Sequence, residues 1–505
     1  MLTTLVHLLS DHWASTAALI LLAVVLLTSS RHASPLPPGP APIPFLGTIS
    51  LLGGGDKRRV FKEMRERYGD VFSFYIGSRL IVVINGFDAL KEAFVKRGDV
   101  FSDRPHVFTV DKVGQGRGIV NTSGKVWKEQ RRFALAALKQ FGFGKASFED
   151  KVQEEVAAFV AVLDQHAGDD VDPQNIIQTA IANVISSIVF GKRFSYDDPL
   201  FKKFLEIFDE NMKLVGGTSI LNFFPILQYL PGDIFKFNKV LSNVDFVQKF
   251  IRNTVQRHIE NLDTLHVRDF VDAYLKEMQE EADDPETTLN YDQLVKVIGD
   301  LFVGGTETTS TTIRWAIIFL VRNPEVQQRM RDEIDRHVGR ARHPSVSDKP
   351  NLPFTEATIL EIQRCADIAP FSVAHGTLQD VTFRNFLVPR NSIVIPNIHS
   401  VLTDPDLWLN PSDFRPERFL DDAGTVTKPE QFIPFFMGRR ICLGESLARM
   451  ELFLFISALV QRYDIRVATT GQLPSLEGQV GLTYTPPDYT VRMVKRFQDD
   501  TDTAM

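Results

Sequence analysis

Cysteine is nearly absent from this chain of 505 residues, in which only Cys365 and Cys442 occur. Two cysteines exclude a disulfide framework and any zinc site built from clustered cysteines. An excess of positive charge is also missing, because 56 Lys and Arg residues face 63 Asp and Glu residues and leave a net charge of −7. We therefore expect no nucleic-acid partner that is bound through overall basicity.

Linkers, internal repeats and low-complexity segments are also missing between residues 48 and 498. Hydrophobic residues make up 44% and charged residues 24% of the chain, which is typical of a globular protein. Since nothing divides this stretch, we predict one large domain over residues 48–498, followed by a short tail at 499–505.

One long uncharged run stands at the amino terminus. Residues 13–28 contain no charged side chain, and a Pro-rich run follows at 34–47. This pattern predicts a transmembrane anchor over residues 1–31 and a stiff hinge over residues 32–47. Because basic residues follow the uncharged run, the positive-inside rule places the large domain in the cytosol. A cleaved signal peptide and a buried core helix are the alternatives.

Helical periodicity dominates the rest of the sequence. Apolar residues at three- and four-residue spacing predict helices over 151–165, 174–190, 244–262, 291–321 and 445–461. Two β-hairpins are also predicted. The first joins 71–76 to 79–84 through Gly77-Ser78, and the second joins 381–388 to 392–396. The predicted fold class is therefore mainly α with a minor β component.

The segment FFMGRRICLGE carries the strongest chemical signal, because it delivers Cys442 to the start of an amphipathic helix. Helix-start amides favour a thiolate, which is a metal ligand. A lone cysteine is more often a small buried hydrophobic residue, but its neighbours favour the ligand interpretation. Gly438 and Gly444 allow the backbone to pass close to a flat ligand, Phe435 can pack over the sulfur, and Arg440 offers a fork to a carboxylate.

The spacing Phe-x-x-Gly-x-Arg-x-Cys-x-Gly resembles the haem-thiolate signature of the cytochrome P450 superfamily. The resemblance implies the P450 fold and a haem b cofactor, iron protoporphyrin IX, with the Cys442 thiolate as axial iron ligand. In this superfamily the thiolate pushes electron density toward the iron and favours O–O cleavage. Across residues 37–494 the chain looks like the second vertebrate family of microsomal members, nearest its J-type fatty-acid epoxygenase branch.

A predicted ion pair supports the same resemblance. Glu361 and Arg364 share a helix face, where such a pair is usually a solvated surface bridge. Together with Arg418 in the sequence FRPERF, they resemble the family's Glu-x-x-Arg and Pro-Glu-Arg-Phe motifs. The resemblance implies a Glu-Arg-Arg network that supports the cysteine loop.

The run GGTETT at 304–309 interrupts a long apolar helix. Each Gly costs about 1 kcal/mol relative to Ala there, so the run needs a reason. Threonine hydroxyls can divert backbone hydrogen bonds and open a groove, and a carboxylate can relay protons; close helix packing is the alternative. The resemblance implies that Glu307 and Thr308 form the acid–alcohol pair of oxygen activation. Gly304 replaces an alanine common in relatives, which predicts a wider pocket.

Haem propionates require cations and hydrogen-bond donors. Trp127 and Arg131 lie four residues apart on one predicted helix face. The resemblance to a Trp-x-x-x-Arg helix implies that both reach a propionate, and that Arg104, His375 and Arg440 lie at matching positions.

Electrons must come from a partner, because the chain has neither a glycine-rich nucleotide fingerprint beside a strand nor a flavin domain. The expected donor is NADPH–cytochrome P450 reductase, with cytochrome b5 as a second candidate. A basic segment between Gly124 and Lys145 is either its docking surface or a solvent-facing charge run. Its cations are Lys125, Lys128, Arg131, Arg132, Lys139 and Lys145.

The predicted substrate pocket is mostly apolar, which favours a large lipophilic substrate. Its candidate residues are Phe302, Val303, Gly304, Phe371, Val373 and Tyr484. The apolar stretch 220–237 is either core or a segment that dips into the bilayer. Arg117 is a candidate anchor for a fatty-acid carboxylate.

The predicted function is that of a monooxygenase bound to the endoplasmic reticulum membrane. The J-type resemblance implies hydroxylation or epoxidation of polyunsaturated fatty acids such as arachidonate, and of xenobiotics or steroids. The alternatives are an electron-independent haem-thiolate isomerase or dehydratase and a non-catalytic haem-binding protein. Glu307 and Thr308 argue against both, because neither alternative needs a proton relay.

Overall fold

The computed structural model describes residues 35–53, 55–141 and 146–497. The predicted anchor at 1–31 and the predicted tail at 499–505 lie outside these ranges. Among the described residues, no helix combines the length and the apolar character needed to cross a bilayer.

Helices of all types form just over half of the described chain, and most of them are α-helices. They are α1 Lys57–Tyr68, α2 Phe87–Lys91, α3 Gly98–Phe101, α4 Phe108–Gly114, α5 Gly124–Gln140, α6 Ala146–Asp164, α7 Gln174–Val189, α8 Pro199–Thr218, α9 Phe237–Glu260, α10 Phe270–Glu280, α11 Tyr291–Phe302, α12 Thr308–Arg322, α13 Pro324–His337, α14 Pro353–Ala366, α15 His399–Leu402 and α16 Glu445–Arg462. Short 3₁₀ turns cover Ile49–Leu52, Ser219–Asn222, Pro225–Tyr229, Val346–Asn351, Pro416–Phe419 and Gly438–Arg440, and π-helical turns cover Glu92–Lys96 and Val303–Glu307.

The strands form a minor component. They are β1 Val71–Ile76, β2 Arg79–Ile84, β3 Asp170–Val171, β4 His375–Gly376, β5 Val381–Phe383, β6 Phe386–Val388, β7 Ile393–Pro396, β8 Tyr463–Val467, β9 Gln479–Val480, β10 Tyr484–Thr485 and β11 Val491–Lys495. One sheet has the order β1-β2-β7-β4 and another has the order β3-β11-β8, while β5–β6 and β9–β10 are separate pairs. The mainly α fold class with a minor sheet is confirmed.

The two predicted hairpins have different outcomes. β1 and β2 pair antiparallel with Val71 opposite Ile84, as predicted. The second hairpin is wrong, because β5 pairs with β6 and β7 pairs in parallel with β2. The chain turns at Arg384 and Asn385, which both have positive φ. Residues 389–391 therefore connect two sheets instead of closing one hairpin.

The described part of the Pro-rich segment lies along β1. Pro38 O accepts from Ser73 N at 2.8 Å, and Pro37 O accepts from the Ser73 hydroxyl at 2.7 Å. A Cβ on Gly39 would lie 1.7 Å from Ser73 O, so only glycine permits this approach. This part of the predicted hinge is consequently bonded to the sheet.

The largest buried apolar cluster lies among α6, α7, α11, α12 and α16. Every residue of α16 from Met450 to Arg462 is buried, so the prediction of an amphipathic helix is wrong. Helices that are covered on all sides gain nothing from a polar face, and α16 is packed by α6, α13 and α12.

Helices α7 and α12 approach closely at the π-helical turn. A Cβ on Gly305 would lie 2.2 Å from Ile185 Cδ1, whereas a Cβ on Gly304 would meet no heavy atom within 4 Å. Close helix packing therefore explains Gly305, and Gly304 borders open space.

This contrast predicts opposite effects of two neighbouring substitutions. Gly305→Ala should lower the free energy of unfolding by about 1–3 kcal/mol, because the added methyl overlaps Ile185. Gly304→Ala should leave it unchanged or raise it by up to about 1 kcal/mol through helix propensity. Urea unfolding followed by circular dichroism measures both, and Ile185→Val should recover part of the Gly305→Ala loss. Equal effects of the two alanines would contradict the packing contact.

Candidate active site

The cysteine loop closes on itself before α16 begins. Cys442 N donates to Phe435 O at 3.0 Å, and the turn Gly438–Arg440 lies between them. Burial raises the pKa of the Cys442 thiol, while the amides of Gly444 and Glu445 and the charge of Arg131 lower it. The predicted helix-start amides are thus present, and Cys442 itself is exposed at the surface of the protein.

The two glycines of the cysteine loop, Gly438 and Gly444, have different surroundings. Gly438 has φ of 72°, and a Cβ there would lie 2.1 Å from Phe94 O. This glycine lets the loop pack on the π-helical turn Glu92–Lys96, which is backbone rather than a flat ligand. At Gly444 a Cβ would meet no heavy atom within 4 Å, so the start of α16 is open on that side. Phe435 lies under the Arg449 guanidinium, 4.8 Å from the ring centroid.

Three guanidinium groups converge beside this loop. Arg131 donates to Ile441 O at 2.6 Å, and Arg440 donates to Ser102 O and Thr122 O. Arg104 donates to the carbonyls of Val120, Val373 and Ala374. In the described part of the chain, none of the three forms an ion pair with a carboxylate. We call Arg104, Arg131 and Arg440 the arginine cluster.

The electrostatics of the arginine cluster favour an anion. Burial, together with the charges of Arg440 and Arg131, lowers the pKa of Arg104 to about 9. Burial and the charge of Arg131 lower the pKa of Arg440 to about 10, while Asp103 acts in the opposite direction. Each guanidinium remains charged at neutral pH, so the cluster is a site of like charges that an anionic group would stabilise.

Two further groups at this site have an unused nitrogen. Trp127 Nε1 and His375 Nε2 are buried and have no hydrogen-bond partner in the part of the chain that the structure describes. The Trp127 ring lies 3.9 Å from the Arg440 guanidinium carbon. His375 Nδ1 lies 2.6 Å from Phe101 O, so Nδ1 carries the proton of the neutral ring. Burial and Arg104 hold the pKa of His375 well below its ordinary value, and a neighbouring carboxylate would raise it.

These residues fit a haem whose propionates bind the arginine cluster. Two carboxylates would compensate the three guanidinium groups and give Trp127 Nε1 an acceptor. The donor set is made of groups that bind carboxylates, and Cys442 supplies a sulfur ligand next to it. The geometry thus places Arg104, Trp127, Arg131, His375 and Arg440 together.

A buried ion-pair network lies behind the loop. The Glu361 carboxylate accepts from Arg364 Nε at 2.7 Å and from Arg418 Nε at 3.1 Å, and all three side chains are almost fully buried. Glu361 also accepts from Arg415 N at 2.9 Å, and Arg364 donates to Leu402 O. The network joins α14 to the segment 402–418 that precedes the cysteine loop.

Glu307 and Thr308 point to different partners. The Thr308 hydroxyl donates to Gly304 O at 2.7 Å across the π-helical turn. Glu307 Oε1 accepts from the Thr483 hydroxyl at 2.9 Å. Burial raises the pKa of Glu307, and the hydrogen bond from Thr483 is the largest effect that lowers it. The side chains of the predicted acid–alcohol pair therefore do not bond to each other.

Glu451 is a buried acid that the sequence reasoning missed. It is fully buried in α16, and neither carboxyl oxygen has a hydrogen-bond partner of normal geometry. Burial raises its pKa to about 8, and the Thr309 hydroxyl lowers it. The only signal for it in the sequence is an acid within the apolar run ARMELFLF.

Two predicted pocket residues are buried among other aromatic side chains. Phe302 is 1% exposed, and its ring lies 5.5 Å from the rings of Phe190 and Phe204. Tyr484 is 3% exposed and stacks on Trp315 at 5.5 Å. Both rings gain from this packing, and their place in the substrate pocket stays a prediction.

The remaining pocket candidates lie near the site or at its edge. Val303 and Gly304 lie on the π-helical turn, with Gly304 exposed. Val373 O binds Arg104, which places this residue next to the arginine cluster. Phe371 packs on Phe61 with 5.0 Å between ring centroids.

Arg117 already has partners. It donates to Gln115 at 2.7 Å and lies 3.4 Å from Asp292, which also pairs with Arg252. A carboxylate ligand would have to compete with Asp292 for this guanidinium.

The predicted basic segment is largely α5. Lys128, Arg132 and Lys139 are exposed on it, and Arg439 is exposed on the neighbouring cysteine loop. Lys125 pairs with Glu286 at 2.6 Å, whereas Lys145 lies outside the described residues.

Comparison with known proteins gives one family. The family model described as Cytochrome P450 matches residues 37–493. The chain is 38% identical to cytochrome P450 2B4 of Oryctolagus cuniculus, over 91% of this chain and 94% of that protein. It is 40% identical to cytochrome P450 2C8 of Homo sapiens, over 90% and 93%. It is 37% identical to cytochrome P450 2U1 of Rattus norvegicus, over 92% of each.

The ion-pair network predicts that replacing the Glu361 carboxylate with an amide lowers the stability of the protein strongly. Glu361→Gln should lower the free energy of unfolding by about 3–5 kcal/mol, because two buried guanidinium groups lose their anion. Glu417→Gln is the matched control, since Glu417 pairs with Arg329 in an exposed bridge and should change stability by less than about 1 kcal/mol. Urea unfolding of both variants measures the difference. A loss at Glu361 no larger than at Glu417 would contradict the role of the network.

Proposed function

The chain belongs to the cytochrome P450 family, and we propose that it is a monooxygenase of the endoplasmic reticulum membrane that oxidises lipophilic substrates. Members of this family bind haem b through a cysteine thiolate, and the chain is a haem-thiolate monooxygenase. The observation that carries the finer proposal is the arginine cluster beside Cys442. It combines a sulfur atom with three guanidinium groups that have no carboxylate partner among the described residues.

Each residue of this site has a proposed role. Cys442 would supply the axial thiolate, and the arginine cluster would hold the propionates with Trp127 and His375. When bound, the haem supplies the redox chemistry that activates dioxygen. The Glu361 network would keep the cysteine loop in position, and the close approach of Gly438 to Phe94 would fix its turn.

Glu307 and Thr308 would move protons. Burial raises the pKa of Glu307, so this carboxyl holds a proton more readily than an exposed one. The Thr308 hydroxyl lies at the π-helical turn, where it is bonded only to the Gly304 carbonyl. A hydroxyl at this position can accept one proton and donate another without a change of charge.

A flavoprotein would deliver the electrons at the basic surface of α5. Lys128, Arg132, Lys139 and Arg439 leave positive charge exposed close to the cysteine loop. This charge would attract an acidic partner, which supports NADPH–cytochrome P450 reductase as donor and cytochrome b5 as a second one.

The proposed substrates are polyunsaturated fatty acids such as arachidonate, with steroids and xenobiotics as further candidates. Hydroxylation or epoxidation of such molecules agrees with the open side of Gly304, which admits a bulky apolar group next to the π-helical turn. Assignment to the J-type branch remains a prediction from the sequence.

An apolar surface supports membrane contact independently of the predicted anchor. Ile226, Tyr229 and Ile234 are 76%, 80% and 61% exposed, and Phe45 is 73% exposed. Gly77 joins the two segments, because its amide donates to Leu46 O and its α-carbon faces Phe224. We call Phe45, Ile226, Tyr229 and Ile234 the apolar face, and we propose that it enters the lipid interface.

Substitution of Thr308 tests the proposed reaction. In lipid vesicles with the reductase, NADPH and a panel of arachidonate, a steroid and a drug, the protein should form oxygenated products. Thr308→Val should reduce product per NADPH by about tenfold or more and increase hydrogen peroxide, since a positioned proton donor contributes roughly 10²–10⁴-fold.

Thr312→Val is the matched control, because the Thr312 hydroxyl donates only to Thr308 O, and its coupling should stay close to that of the unsubstituted chain. Absence of product from every substrate, with haem bound, would refute the monooxygenase proposal for these classes.

Tryptophan fluorescence tests the apolar face. In vesicles with brominated lipids, Ile226→Trp should add emission that is strongly quenched, because bromine quenches indoles in contact with the acyl region. Leu265→Trp serves as control, since Leu265 is 86% exposed in the loop between α9 and α10. Equal quenching of the two added indoles would exclude the apolar face as a membrane contact.

A further inference from the structure

The turn between β9 and β10 carries a buried hydroxyl that faces the oxygen-activation helix. Thr483 is 4% exposed, and its hydroxyl donates to Glu307 Oε1 at 2.9 Å. A second hydroxyl, that of Thr485, lies 3.1 Å from Thr483 Oγ1. Because Thr483 has one proton and gives it to a carboxylate, Thr485 is the donor to Thr483.

The turn is held against the helix at a second point. Trp315 Nε1 donates to Tyr484 O at 2.9 Å, and Tyr484 N donates to Ile368 O at 2.7 Å. These contacts fix the backbone next to Thr483, so its hydroxyl is preorganised toward Glu307.

Charges around Glu307 come from two helices. From α8, Asp209 raises the pKa of Glu307, and Asp209 itself pairs with Lys213 at 2.8 Å. From α12, the charge of Arg314 lowers the pKa of Glu307. Arg314 itself lies 3.8 Å from Asp488.

The hydroxyls of Thr311 and Thr483 both lower the pKa of Glu307. The Thr311 hydroxyl, at 3.5 Å from Glu307 Oε1, lowers this pKa weakly, and the Thr483 hydroxyl lowers it most. Thr483 is therefore the main group that stabilises the carboxylate against burial.

We propose that Thr483 is a positioning residue for Glu307, whose carboxylate it orients toward the β9–β10 turn and away from Thr308. The inference extends the proton-delivery role in the proposed function.

The protonation state of Glu307 in the resting holoenzyme gives the direct test. Its carboxyl stretch is identified by infrared difference spectra against Glu307→Gln and followed over pH. Thr483→Val should raise the pKa of Glu307 by roughly one to two units, because a hydrogen bond to a charged group is lost. Thr483→Ser should restore the original value, since it keeps the hydroxyl.

Controls separate this effect from disturbance of the fold. Thr179→Val removes a buried hydroxyl that bonds only to Asn175 O in α7, and it should leave the Glu307 titration unchanged. Thr483→Ala provides a second variant without the hydroxyl should the valine prevent haem incorporation. An unchanged pKa of Glu307 in both Thr483 variants, or an equal shift in Thr179→Val, would overturn the inference.

Coupling measurements distinguish this inference from the proposed function. With the reductase present, the acid limb of product per NADPH should move to higher pH in Thr483→Val by the same amount as the carboxyl titration. A titration that moves while the coupling profile stays fixed would support Thr483 as the partner of Glu307 and remove Glu307 from proton delivery.

Discussion

Burial of like charges is the constraint on which the site depends. Arg104, Arg131 and Arg440 are oriented by backbone carbonyls rather than by carboxylates, so their positions are fixed while their charges remain available. Such an arrangement costs free energy in the protein alone, and an anion relieves it. If the arginine cluster holds the haem propionates as proposed, the residues that bind the cofactor also make the folded chain depend on it.

Packing between α7 and α12 shapes the π-helical turn that carries Glu307 and leads into Thr308. Close approach at Gly305 brings α7 against α12, while Gly304 on the adjoining position leaves space. A π-helical turn accommodates both, because it frees the Gly304 carbonyl to accept from Thr308. The π-helical turn thus combines close packing at Gly305 with open space at Gly304, next to the Thr308 hydroxyl.

Motif residues were predictable from the sequence, and their partners were not. The spacing around Cys442 and the Glu361–Arg364 pair identified segments that the fold brings to one region, since those signals are local. The partner of β7, the burial of Glu451 and the contact of Thr483 with Glu307 depend on segments far apart in sequence. An acid in an apolar run gives no sign that every face of its helix is covered, so the burial of Glu451 could not be predicted from periodicity. The ring contacts of Phe302 with Phe190 and Phe204 likewise join segments that are distant in sequence.

The contact of the Pro-rich segment with β1 has a mechanical consequence. Hydrogen bonds from Ser73 to Pro37 and Pro38 join the incoming chain to the strand that begins the four-stranded sheet. Movement of Pro37 and Pro38 would therefore be passed along β1, β2 and β7 to β4, the strand that carries His375 beside Arg104. Through this connection the direction in which the described chain enters the sheet would influence the position of His375.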